Sequence, residues 1–301
     1  MRKILIAFLA TMLLVLTLGT STFAWITLAR ASQIESIAFQ AFLGDSLEIS
    51  IDGEKYYSEL PATEISKIFG KNRLLDITSV DGKTFTHLRR KEITPNNHYI
   101  SIEFYFRTTS KRERTVYLAN NISDVVNYDD TKKQEGTFVV SKGINYRARF
   151  DFQYDENDIV RAGEVRTYYI SEAVRISTIS TINGEEVVKI FDLSGNEHRG
   201  YGKPYGAYDY YKKATNRHLE LPTEIPPTIY ELSKFDPNGP FSLDDISKLV
   251  ELNEIQEFDG KTYYTGKIKM NIWVDGWDAD LFDPVLYDRI KIQLQFKAVR
   301  N

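Results

Sequence analysis

Apolar and polar residues alternate with a period of two along four stretches of the chain. Ile100, Ile102, Phe104 and Phe106 interleave with Ser101, Glu103, Tyr105 and Arg107. The same pattern sets Tyr146, Ala148, Phe150 and Phe152 against Arg147, Arg149 and Asp151, and it recurs at Ile268, Met270, Ile272 and Val274 and at Ile290, Ile292, Leu294 and Phe296. Successive side chains of a strand point to opposite faces, so each stretch predicts a strand with one face on a core and the other in water. Further strands are expected at residues 34–42, 47–51, 115–119, 137–140, 165–179 and 187–191. Turn pairs such as Asp52-Gly53, Asp81-Gly82 and Asn183-Gly184 bound them. Nine or ten strands, each with one wet face, predict an all-β fold: two packed antiparallel sheets in a sandwich of jelly-roll type.

Helix signals are sparse. Residues 61–69 precede Gly70 in the position of a C-cap, Ser242 followed by Asp245 resembles a capping box, and a short helix is expected after Pro227. The last two fall in residues 194–260, which carry six of the nine prolines and read as a small helical insertion between sheet strands. No internal repeat is visible. Strands on both sides of the insertion favour a single domain over residues 32–301.

The N-terminus follows a different pattern. Arg2 and Lys3 precede residues 4–18, where nothing is more polar than threonine, and a stretch of small, weakly polar residues follows to Ala24. This is the order of a secretory signal, expected to span residues 1–24, with Thr22 and Ala24 as the small residues before a cut that leaves Trp25 first. Ala29 and Ala31 offer a second cleavage point. A helix continued to Ala29 would be about 39 Å long, enough for an uncleaved anchor over residues 4–29 with its basic end inside. The expected location is therefore secreted or cell surface, with membrane contact only through this segment.

Composition narrows the function classes. Removing Arg2 and Lys3 leaves 36 basic residues against 42 acidic ones, so nucleic acid is not an expected partner. The absence of cysteine excludes disulfides, thiolate metal sites and cysteine nucleophiles, and points to a bacterial surface rather than a disulfide-rich animal ectodomain. There is no G-x-S-x-G elbow, Walker loop or dinucleotide fingerprint. His87, His98, His198 and His218 lack metal-ligand spacing, and the acid pairs Asp129/Asp130 and Glu185/Glu186 read as solvated loop positions. A non-enzymatic protein without a cofactor is expected.

Two stretches carry candidate chemistry. Asp275, Asp278, Asp280 and Asp283 alternate around Gly276 and could gather oxygens about Ca²⁺, although they lack the spacing of an EF-hand and the same residues also build turns. Tyr208, Tyr210 and Tyr211 lie in a tyrosine- and glycine-rich stretch that suits an adaptable contact loop, or an ordinary loop whose rings lie back on the sheet.

Three short motifs carry a resemblance: S-T-F-A-W at residues 21–25, A-V-R-I-S at 173–177, and I-W-V-D-G-W-D-A-D at 272–280 before a terminal apolar strand. Together they resemble exported Firmicute and mollicute surface proteins whose signal ends in A-W-F/I-T and whose β domain finishes in I-W-x-E/D-G-x-D. The N-terminus is distantly similar to the TasA and camelysin group. That resemblance implies a dedicated signal peptidase and a jelly-roll domain that polymerises into biofilm fibres. It makes self-association, or association with other surface proteins, the expected partnership. The assembly strand would then contain Ile34, Ile37, Phe39 and Phe42 and add to an open sheet edge of a neighbour. The alternative is a surface adhesin, a module that binds glycan or protein through the tyrosine loop and is anchored in the membrane by an uncleaved N-terminal helix.

Overall fold

The computed structural model describes residues 12, 32–41, 46–68, 73–88, 90–120, 125–132 and 134–300. Apart from Met12, the expected signal and the anchor over 4–29 lie outside the described residues, as do the cleavage position at Ala24 and Trp25, and Phe42. In chain order the strands begin with β1 (Ser32–Ala41), β2 (Leu47–Ser50), β3 (Arg73–Leu74), β4 (Asp76–Ile77), β5 (Ile100–Thr108) and β6 (Glu113–Leu118). They continue with β7 (Phe138–Ser141), β8 (Ile144–Arg147), β9 (Phe152–Asp155), β10 (Asp158–Val160), β11 (Val165–Tyr168) and β12 (Val174–Ile182). The last are β13 (Glu185–Asp192), β14 (Thr228–Ile229), β15 (Lys248–Glu251), β16 (Glu254–Phe258), β17 (Lys261–Asp275) and β18 (Arg289–Arg300). The helices α1 (Ala62–Ile68) and α2 (Ala207–Thr215) accompany them.

The strands form an all-β sandwich. One sheet runs β15-β6-β18-β1-β3 with β7 also on β18, and the other runs β14-β13-β12-β17-β5-β2 with β16 and β4 on β17. Both sheets are mixed rather than purely antiparallel, because β1 lies parallel to β18, β14 to β13 and β4 to β17. Alternation along β5 buries Ile100, Ile102, Phe104 and Phe106 and leaves the intervening residues half-buried or exposed. At the centre Phe104 meets Phe39 of β1 at 4.8 Å and Phe296 of β18 at 5.4 Å, so three strands from two sheets share one aromatic cluster. The Asn183-Gly184 pair joins β12 to β13 with φ of 54° and 84°, the left-handed conformation that a two-residue hairpin turn requires.

Each sheet is also covered on part of its outer face. Residues 75–88 and 90–99 fold over the β12–β17 side, where Trp273, Ile190, Ile77 and Tyr99 form a second small core with Phe85. Gly82 seats this cover: its carbonyl accepts hydrogen bonds from Ser177 Oγ and Asn271 Nδ2, and at φ 69° a Cβ there would stand 2.8 Å from Ser177 Cβ. Only glycine accommodates both the conformation and the approach.

Several expectations are corrected. Residues 146–152 are not one strand of a main sheet, but split into β8 and β9, each in its own two-stranded ribbon with β11 and β10. The break comes at Ala148, whose N–H turns to Glu164 O and whose carbonyl accepts from Gly163 N. Residues 165–179 are interrupted by a 3₁₀ turn at Ile170–Ala173. No helix follows Ser242, because local side chains bind the backbone first. Ser242 Oγ donates to Asp244 O, Asp244 accepts from the N–H groups of Lys234 and Ile246, and the chain then enters β15. After Pro227 the chain forms β14, not a helix. Residues 194–260 thus supply α2 and also edge strands to both sheets.

Candidate functional site

A buried cluster of ionisable side chains forms where the segment after β17 folds back over the end of the sheet. Arg175 of β12 stands directly opposite Asp192 of β13 and Trp273 of β17 in the ladder. Its guanidinium is 2% exposed and lies 2.9 Å from Asp192 Oδ2, while Nη2 donates to Asp278 Oδ2. Its Nη1 donates to the carbonyls of Glu172 and Val174. Asp192 Oδ2 lies off the N–H direction of Arg175 and has no hydrogen bond, so that contact is Coulombic; Oδ1 accepts from Ser194 N and Oγ.

A second arginine closes the other side. Arg199 donates to Asp280 Oδ1 through Nε at 2.8 Å and Nη2 at 2.5 Å, and its guanidinium lies 3.6 Å above the Tyr154 ring. The backbone of residues 199–207 zips onto the same loop, with Gly202 N donating to Trp277 O and Ala207 N to Ala279 O. Gly206 makes this possible: at φ 63°, a Cβ there would fall 2.1 Å from Ala279 O. Asp275 takes three donors, Thr78 Oγ1 and Trp277 N on one oxygen and Trp273 Nε1 on the other.

Carboxylates outnumber arginines here, and burial sets the consequence. Burial pushes Asp192, Asp275 and Asp278 above the usual carboxylate range, with Arg175 opposing it in each case. Glu172, in the 3₁₀ turn beside the cluster, is pushed up to about 7 by burial and then by Asp280 and Asp192. Arg175 is held protonated despite its own burial, chiefly by Asp278 and Asp192. The arrangement acts as an electrostatic clasp that staples β12, β13, the end of β17 and the 199–207 segment.

The calcium candidates are placed as follows. Asp278 and Asp280 each hold a guanidinium, Asp275 is filled by internal donors, and Asp283 is exposed at the start of a 3₁₀ turn. Among the described residues no group of three or more His, Asp or Glu is arranged to hold a metal ion. The histidines have other partners: His87 pairs with Asp76, His98 Nδ1 accepts from Thr94 N, His198 pairs with Asp155, and His218 meets Tyr208.

The expected tyrosine loop is helix α2. Tyr210 faces inward among Phe150, Phe152 and Phe282, with ring centroids 5.2, 5.4 and 5.0 Å away, and its hydroxyl meets Tyr146 Oη at 3.1 Å. Tyr208 is half-buried and donates to Leu219 O, and Tyr211 is also half-buried. Of the assembly-strand residues, Ile34 and Phe39 are buried and Ile37 is half-buried against the core. Their spacing of three and then two positions fits one face because a bulge between Ile34 and Ser36 restores the alternation.

Sequence reasoning missed Arg175, Arg199 and Asp192. An arginine inside the apolar run A-V-R-I-S was the available signal, since a buried guanidinium requires carboxylate partners. Comparison with protein-family models, with curated proteins and with solved structures gave no match.

Proposed function

We propose that this chain is an exported, non-enzymatic structural protein of a bacterial surface, a fibre or matrix subunit that assembles by exchanging its first strand. The observation that carries the reading is the position of β1. It is the first described strand, it lies parallel to β18, and it fills the inter-sheet core with Ile34, Ile37 and Phe39. Its other edge pairs with β3 only at Ser32 and Gln33 and meets residues 58–60 only near its end; among the described residues, 34–38 ladder only with β18. Full burial of Ile34 and Phe39 is worth about 1.5–3 kcal/mol each. A neighbour's copy of the same strand would recover that energy in the same groove, which is the basis of strand exchange.

Export follows from the N-terminal pattern, and the partner of first choice is a second copy of the chain. The test joins mass spectrometry of the native protein's N-terminus to electron microscopy of the same preparation. Filaments built from chains that begin near Trp25 are expected, and deletion of residues 25–32 should abolish them. Polymerisation unchanged by that deletion would sink the reading.

A further inference from the structure

The outer face of β18 carries a strap. Residues 125–132 and 134–137 run across it, fastened at alternate positions of the strand. Lys291 Nζ donates to Tyr128 O at 2.6 Å, Gln293 Nε2 donates to the carbonyls of Gln134 and Gly136 at 2.9 Å each, and Gln295 Oε1 accepts from Gly136 N at 2.8 Å. Gln295 and Gln293 are buried at 1% and 7% exposure, and Lys291 is half-buried. None of these fastenings involves β1.

At the near end of the strap a tight turn presents one side chain to β1. Asn127 N donates to Asp130 Oδ2 and Asp130 N to Asn127 O, and between them Tyr128 is 8% exposed with Lys291 Nζ 4.5 Å from its ring centroid. The Tyr128 hydroxyl donates to Glu35 Oε2, and Arg289 Nη1 lies 3.2 Å from the same oxygen. Glu35 is the residue at the β1 bulge, skipped by the ladder with β18. Burial, then Glu35, pushes Tyr128 up to about 12, so it remains a hydrogen-bond donor through the physiological range.

We infer that the strap is a latch on the first strand: Tyr128, positioned by fastenings to β18, clamps β1 at its bulge through Glu35 and so controls how readily β1 leaves the sandwich. The latch rests on the reading of β1 as an exchangeable strand, but its local effect can be measured without assembly. Residues 34–38 ladder only with β18, so loss of the hydroxyl–carboxylate bond leaves Arg289 alone on Glu35 and no second edge at the bulge to compensate.

The test is hydrogen–deuterium exchange on the full chain kept monomeric, comparing Tyr128→Phe and Glu35→Gln with the parent. Tyr128→Phe keeps the ring under Lys291 and deletes only the donor. Exchange over residues 32–41 should quicken by about tenfold, the order expected for one hydrogen bond to a charged acceptor, while β5, β12 and β17 stay unchanged. Unchanged exchange of β1 in both variants overturns the latch, as does a rise shared equally by all strands. Electron microscopy of the same variants separates the two proposals. Faster β1 exchange with faster filament growth supports both, and faster β1 exchange with unaltered growth supports the latch while counting against strand exchange.

Discussion

Replacing Arg175 with methionine removes the one cation lying between Asp192 and Asp278 while keeping most of the side-chain volume. All three groups are at most 2% exposed, so no solvent screens what remains. Removing one partner of a buried pair typically costs 3–5 kcal/mol, because the other charge stays buried and uncompensated. Two carboxylates are stranded here, which places Arg175→Met at about 4–5 kcal/mol, or roughly three orders of magnitude in the folding constant. The stranded groups can escape by taking up protons, so the variant should regain stability as the pH falls. A triple variant that adds Asp192→Asn and Asp278→Asn should recover much of the loss at neutral pH, because two neutral amides and an apolar side chain replace an unbalanced pair of buried charges. Urea denaturation followed by circular dichroism measures each step, and an unchanged m value confirms that the transitions are comparable. A loss below about 1 kcal/mol for Arg175→Met, or a triple variant no better than the single one, would show that the cluster is not an electrostatic clasp.

Three further substitutions probe other parts of the molecule. Glu172 is held near 7 in the folded chain against 4.5 for an unperturbed glutamate, so the folded state binds its proton more tightly. Its contribution to stability is full below about pH 4.5 and is lost as the pH rises through about 7; Glu172→Gln should flatten the fall in thermal midpoint across that window, and an unaltered slope would exclude the residue as its source. Tyr210→Ala should cost about 3–5 kcal/mol in denaturant and Tyr208→Ala no more than about 1 kcal/mol, since only Tyr210 sits in the aromatic core; equal small effects would restore both to the role of surface contacts.

Much of the candidate site was written in the sequence as residue types without partners. The carboxylates of residues 275–283 were visible as a cluster, but their meaning depended on what faced them. Arg175 reaches Asp278 across 103 residues of chain and Arg199 reaches Asp280 across 81, and no local pattern encodes such a pairing. The tyrosines of α2 were legible as amphipathic material, yet whether a ring points to solvent or core was decided by Phe150, Phe152 and Phe282, which other segments bring to Tyr210.

By itself the sequence determined the sandwich class and three of its central strands. Period-two alternation is a property of the extended backbone, so β5, the core-facing half of β17, and β18 follow from their own residues. It also determined the β12–β13 hairpin, because Asn183-Gly184 carries the left-handed turn locally. The tertiary structure decided the rest: that β1 returns parallel to the last strand, that Ser242 leads into β15 instead of a helix, and that the acidic loop holds arginines. Each of these is a contact between distant segments, selected by burial and charge pairing after the local preferences have been met, and a strand's own sequence is silent about its neighbour.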